Sequence, residues 1–153
     1  MKSYISLERY NQHFYPIESD KFEELRYLSE YLSTDYRSFD ESYLQQAINF
    51  YNSSFIYHDF DQQILYIGFS EWEINTNIPL PCDYAFSSYL KKVTTCKVTT
   101  DNFKNFIKIW LNLKKDSTVS YMLIYRNDKN DIECQGFASV ELMTKFVTEY
   151  IKT

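Results

Sequence analysis

Two glycines in 153 residues constrain this chain more than any other feature. Gly68 and Gly136 each stand alone. Neither the Gly-x-Gly-x-x-Gly turn of a dinucleotide fold nor a phosphate-cradling P-loop can be written around them. With only three prolines as well, the chain has few places for linkers or glycine turns, and no domain boundary is visible. What replaces glycine is aromatic: 15 Tyr and 12 Phe bring the aromatic share to 19%. That composition predicts a densely packed domain with tyrosines left over for its surface. Tyrosine offers large contact area at low rotamer cost with a polar tip, which suits a protein-binding face.

The length predicts a single globular domain over residues 1–153, large enough for its own core. The N-terminal residues lack the apolar stretch of a secretory signal, and no segment approaches the roughly 20 apolar residues of a membrane span. Cys82, Cys96 and Cys134 are odd in number and widely spaced. They read as reduced, buried thiols of a cytoplasmic protein without disulfides. The net charge of −5 conceals a split. Residues 1–90 hold 14 acidic and 5 basic side chains, a balance of −9. Residues 91–153 hold 7 acidic and 11 basic ones, a balance of +4. The acidic front argues against non-specific nucleic-acid binding there and allows a cationic partner.

Local patterns predict an α+β fold: an antiparallel sheet of four or more strands packed by helices near 20–32, 40–52, 101–114 and 139–151. Asp20 and Glu23 form a capping box, followed by the apolar stripe Phe22, Leu25, Leu28 and Leu32. Glu23, Tyr27, Glu30 and Thr34 fall on the opposite, solvated face. Phe55-Ile56-Tyr57 and Ile64-Leu65-Tyr66-Ile67 read as a hairpin whose second strand, nearly continuous in apolar residues, is central. Residues 75–81 are loop-like, and a short helix fits 83–91. Thr100 or Asp101 caps the third long helix, on which Phe103, Phe106, Ile107, Trp110 and Leu113 share a face and Lys104, Lys108 and Lys115 fall together on the other. Val119–Tyr125 is the strongest strand, Ile132–Ala138 returns, and Ser139 caps a last helix buried through Leu142, Met143, Phe146, Val147 and Tyr150. Phe55-Ile56-Tyr57…Ile64…Gly68-Phe69 aligns without gaps on Leu123-Ile124-Tyr125…Ile132…Gly136-Phe137. This suggests a helix-strand-strand duplication, although two unrelated hairpins in an aromatic-rich chain would align as well.

Chemistry-bearing patterns each have a plainer reading. His58-Asp59-Phe60-Asp61, with His13, offers imidazoles and carboxylates, but a metal needs three or four converging ligands, and Asp is favoured in turns for local backbone bonding. No metal or other cofactor is expected. Cysteine–histidine pairs lack any local signature of an activated nucleophile. Ser88-Tyr89-Leu90-Lys91 spells the Ser-x-x-Lys tetrad of penicillin-interacting enzymes without its companion motifs. Glu23–Glu24, Asp40–Glu41 and Glu71-Trp72-Glu73 could supply paired carboxylates for glycoside hydrolysis, yet solvated faces and caps explain them. The lysine face of the third long helix reads as a solubilising surface. No enzyme emerges.

An acidic, tyrosine-rich chain free of catalytic motifs fits an inhibitor of a basic protein. Ordered carboxylates complement a cationic site, and aromatic anchors supply the desolvated contacts. The residues proposed for that face are Asp20, Glu23, Tyr27 and Glu30, with Asp35, Asp40, Glu41, Asp59 and Asp61 around it. In size, acidity, aromatic content and mixed helix–hairpin order the chain resembles the immunity proteins of bacterial contact-dependent growth-inhibition and related polymorphic toxin systems. The resemblance implies one-to-one binding of a cognate toxin, a nuclease among the candidates, and involves neither nucleic acid nor membrane. It rests on general character rather than a motif, so no residue role comes with it. Two other readings stand beside it: a small-molecule binder or enzyme with an aromatic-lined pocket, and an acidic DNA mimic.

Overall fold

The computed structural model describes residues 2–19, 24–33, 56–59, 61–67 and 96–153. Asp20, Glu23, Asp35, Asp40 and Glu41 lie outside the described residues, as do the side chain of Glu30 and the helices expected at 40–52 and 83–91. The fold is α+β, and the described residues form two antiparallel sheets. The first has four strands in the order β2-β1-β6-β7, formed by β1 (Tyr4–Tyr10), β2 (His13–Ser19), β6 (Tyr121–Arg126) and β7 (Ile132–Phe137). The second has the order β3-β4-β5, from β3 (Ile56–Asp59), β4 (Ile64–Ile67) and β5 (Cys96–Thr99). As the apolar run predicted, β4 is central, with Leu65, Tyr66 and Ile67 all buried.

The β1–β2 hairpin is the element that sequence reading passed over. Tyr10 pairs with His13 across the two-residue turn Asn11-Gln12, and both turn residues have positive φ. A two-residue turn of that kind matches the right-handed twist of its strands, and Asn tolerates the left-handed region better than most residues. A register shift between Ser6 and Leu7 makes a bulge, and Pro16 lies in the outermost strand, β2.

Among the described residues three helices pack on this frame. Helix α1 (Glu24–Ser33) buries Leu25, Leu28 and Leu32 of the predicted stripe, whose first member, Phe22, lies outside the described residues, and touches β1 and β2 of one sheet and β4 and β5 of the other. Helix α2 (Thr100–Lys115) buries Phe103, Phe106, Ile107, Trp110 and Leu111 against β5 and β7, while Lys104, Lys108 and Lys115 are exposed. Its cap is Thr99, whose Oγ1 accepts from the Asn102 N–H, one residue earlier than expected. The Asn102 amide then donates to the Ile132 carbonyl at 2.9 Å and accepts from the Ile132 N–H at 2.8 Å, fastening the helix start to β7. At the other end Arg9 donates to the carbonyls of Leu113, Lys114, Asp116 and Val119, satisfying acceptors that a helix terminus leaves open.

Apolar residues from both sheets meet in one core. Ile5, Leu7, Phe14, Met122, Ile124 and Ile132 line the inner face of the larger sheet, joined by Leu65, Ile67, Cys96 and Val98 and filled by α1 and α2. Trp110 stacks on Phe106 and meets Phe14 edge-on, while its buried Nε1 has no hydrogen-bond partner among the described residues. Gly136 is dictated by close approach: a Cβ there would stand 2.9 Å from both Leu113 and Val119 side-chain carbons.

The opposite face of the larger sheet carries a second cluster, Tyr4, Leu123 and Tyr125, under α3 (Val140–Phe146) and the π-helical turn Val147–Ile151. Ser139 caps α3, as expected. Met143, Val147 and Ile151 are its buried residues, with Phe146 and Tyr150 partly buried. Leu142 is exposed rather than buried, because four-residue spacing carried through the wider π turn gives the sheet-facing row to Met143, Val147 and Ile151. Lys2 secures the far end, with its N–H on the Ile151 carbonyl and its ammonium on the Tyr150 carbonyl and ring.

The two hairpins of the suggested duplication both form, but their pairings differ by one residue. Asp59 pairs with Ile64 across four residues, whereas Arg126 pairs with Ile132 across five. The gapless alignment equates Tyr57 and Tyr66, which pair, with Tyr125 and Cys134, which do not; Tyr125 pairs with Glu133. Since one residue of register exchanges the two faces of a strand, the aligned side chains do not occupy equivalent places.

Candidate functional site

Among the described members of the expected acidic face, the side chains are committed to local structure to different degrees. Tyr27 is half-buried on α1 and engaged with a neighbour. Asp59 closes the β3–β4 turn, its Oδ1 accepting from the N–H groups of Asp61 and Gln62 at 3.1 Å each. Asp61 is exposed at the same turn. Asp59 and Asp61 are thus together, and their arrangement is that of a carboxylate stabilising a turn.

Glu24, adjacent in sequence to the proposed face, has a structural task. Its carboxylate takes a two-point pair from Arg126, Nε to Oε1 at 2.9 Å and Nη2 to Oε2 at 3.0 Å. Arg126 also donates to the Lys97 carbonyl at 2.7 Å and the Asn130 carbonyl at 2.9 Å. One guanidinium therefore joins α1, the end of β6, the β6–β7 turn and β5 of the other sheet. Burial is the largest influence and works against its charge, but the hydrogen bonding with Glu24 together with neighbouring negative charge, Asp131 included, outweighs it and holds the pKa above the ordinary arginine value.

Among the described residues the exposed tyrosines lie on the N-terminal hairpin. Tyr10 is 67% exposed and Tyr15 47%, with Ile17 at 48% beside them in β2. Strand alternation assigns Ile5, Leu7 and Arg9 to the inner face and Tyr4, Ser6, Glu8 and Tyr10 to the outer one. Glu8 pairs with Tyr15 on one side and with Tyr121 on the other, and cross-strand partners share a face. Tyr10 follows along β1 opposite His13. The rings of Tyr10 and Tyr15 are 6.4 Å apart at 64°, and those of His13 and Tyr15 6.5 Å apart at 70°. An exposed carboxylate thus sits among three tyrosines. The face is open because α3 packs over β6 and β7. Residue spacing could have shown this site, since Glu8, Tyr10, His13 and Tyr15 fall on one side of a hairpin once the Asn11-Gln12 turn is recognised.

Elsewhere on the described surface Ile109, Val140 and Leu142 are also exposed. A cleft of about 300 Å³ between the ends of the two sheets is lined by Lys97, Thr99, Asn102, Arg126, Lys129 and Asp131, among others. A second, near the β6–β7 turn, has Asp128, Asp131, Glu133 and Tyr150 in its wall. The Tyr125 hydroxyl donates to Glu133 at 2.7 Å; its burial, then that bond, raise the tyrosine pKa above its ordinary value. Cys96 and Cys134 are free, buried thiols, both pushed up to about 12 chiefly by burial. Among the described residues no three His, Cys, Asp or Glu side chains are grouped as metal ligands would be, and no helix is long and apolar enough to cross a membrane. Comparisons with protein-family models, curated proteins and solved structures find no match for this chain.

Proposed function

We propose that this chain is a binding protein that neutralises a cationic protein partner, in the manner of a bacterial immunity protein acting on its cognate toxin. The observation that supports this most is the outer face of the β1–β2 hairpin, where Tyr10 and Tyr15 stand in solvent around the carboxylate of Glu8. Exposed tyrosines on a rigid strand pair have little conformational freedom to lose on binding, and aromatic residues are over-represented among the anchors of protein interfaces. The front of the chain supplies the field. A balance of −9 over residues 1–90 would steer a cationic partner toward it.

The contact is made through the face of the hairpin rather than its edge. Pro16 has no N–H to give an added strand, and the bulge near Ser6 and Leu7 interrupts the ladder. The two described clefts have one aromatic residue between them, Tyr150, so the reading of an aromatic-lined small-molecule pocket gains nothing from them.

The test is capture from a lysate of the native host followed by expression of the captured partner. The expected partner is basic, arrests growth when made alone, and is silenced when this chain is made with it. Its association slows as salt rises while dissociation changes less. An acidic partner, or one whose toxicity this chain leaves untouched, overturns the proposal, as does turnover of a small molecule by the isolated chain.

A further inference from the structure

We infer that the hairpin face receives an arginine side chain of the protein partner, Glu8 taking the guanidinium between Tyr10, Tyr15 and Tyr121; this rests on the binding reading above. The register supplies the geometry. Glu8 is the middle member of a cross-strand row, Tyr15–Glu8–Tyr121, and Tyr10 stands two residues further along the same strand. Tyr10 and Tyr15 meet at 64° and form a corner rather than a stack. A corner of rings beside a carboxylate offers a cation both π density and charged acceptors.

Among the described residues Glu8 has no ion pair. Its sequence neighbour Arg9 cannot supply one, because it turns to the inner face, where its donors hold the α2 carbonyls and its guanidinium lies over Phe14 at 4.4 Å. Glu8 is exposed, so its carboxylate is available without desolvating a core.

Arginine fits this place better than lysine. Its planar guanidinium can stack on a tyrosine while giving two parallel hydrogen bonds to one carboxylate, and it is more weakly hydrated than an ammonium. A lysine would keep the charge attraction and lose the plane. A neutral citrulline would keep the plane and lose the charge.

The experiment is a titration of the isotope-labelled protein, followed by NMR, with a short acetylated and amidated peptide carrying two arginines. Twin peptides carry lysine or citrulline instead. The arginine peptide should move the resonances of Glu8, Tyr10, Tyr15 and Tyr121, the lysine peptide should bind more weakly, and the citrulline peptide should leave them in place. Glu8→Gln should weaken arginine binding by at least about fivefold, and Tyr15→Ala by a comparable factor, whereas Tyr15→Phe, which keeps the ring, should retain it. Equal binding of the citrulline peptide, shifts centred on Asp59 and Asp61 instead, or indifference to Glu8→Gln would overturn the inference. Its failure separates from that of the binding reading. A captured toxin whose affinity ignores Glu8→Gln removes the arginine site alone. Arginine binding at the hairpin with no toxin in the host removes the immunity reading alone.

Discussion

Replacing Arg126 by Met asks whether the two sheets are joined by a polar clamp or by apolar packing alone. Arg126 is 8% exposed, and Met would keep most of its aliphatic volume. The substitution removes four hydrogen bonds at once: two to Glu24 and one each to the carbonyls of Lys97 and Asn130. Breaking a fully buried pair from one side costs about 3–5 kcal/mol, because the other charge is left uncompensated. Here the Glu24 side chain keeps 23% of its exposure and can partly rehydrate, which lowers that figure. Two part-buried carbonyls losing their donor add about 1 kcal/mol each, the low end of the range for an unsatisfied group. The expected loss is about 2–4 kcal/mol, or a fall in Tm of about 5–15 °C for a chain of this size. Urea unfolding followed by circular dichroism measures it. Glu24→Gln keeps an acceptor oxygen and should cost less, about 1–2 kcal/mol. The double variant should be less destabilised than the sum, by a coupling of about 1–3 kcal/mol. If Arg126→Met stays within about 0.5 kcal/mol of the parent, or the two changes simply add, packing holds the junction and the clamp reasoning is wrong.

Three further outcomes follow from single contacts. Gly136→Ala drives a methyl to 2.9 Å from Leu113 and Val119 and should destabilise by about 1–3 kcal/mol in the same unfolding assay; in a Val119→Ala background the penalty should shrink. Asn102→Ala leaves both the N–H and the carbonyl of Ile132 without partners and should cost about 1–3 kcal/mol, with hydrogen exchange at the start of β7 rising first. Cys96 and Cys134 stay protonated in the fold up to about 12, whereas the unfolded chain ionises near its ordinary 9.0. Stability is therefore intact below pH 9.0 and falls as pH climbs toward 12, by up to about 1.4 kcal/mol per pH unit for each thiol; a Cys96→Ala, Cys134→Ala variant should show a flatter decline in urea midpoint.

The elements legible in the sequence were those with one buried face. Helix α2 shows its stripe because lysines occupy the other side, and β4 shows its central place through three buried apolar residues in succession. The start of α2 was ambiguous by one residue for a chemical reason: Thr99, Thr100 and Asp101 are consecutive, and each can cap. The β1–β2 hairpin was hidden because Tyr4, Ile5, Ser6 and Leu7 are all buried, which erases the alternation that betrays a half-covered strand. Arg9 deepens the disguise: it reads as surface charge, yet it holds the end of a helix more than a hundred residues away.

The same limit applies to the binding face. Charge counting gave the sign of the front of the chain but not which carboxylates remain in solvent. Nothing local separates Glu24 from its acidic neighbours; its role is set by Arg126, which reaches it only after both sheets and α1 have assembled. Nor can a count of tyrosines say which are spare. That is decided by where α3 lies on the larger sheet. It packs over β6 and β7 and buries Tyr4 and Tyr125, while Tyr10 and Tyr15, on the same outer face, stay in solvent. A helix placed over the hairpin instead would have made those rings core and exposed the others. The surface proposed for partner binding is thus a consequence of helix placement, with Glu8 at its centre because strand pairing sets it between Tyr15 and Tyr121.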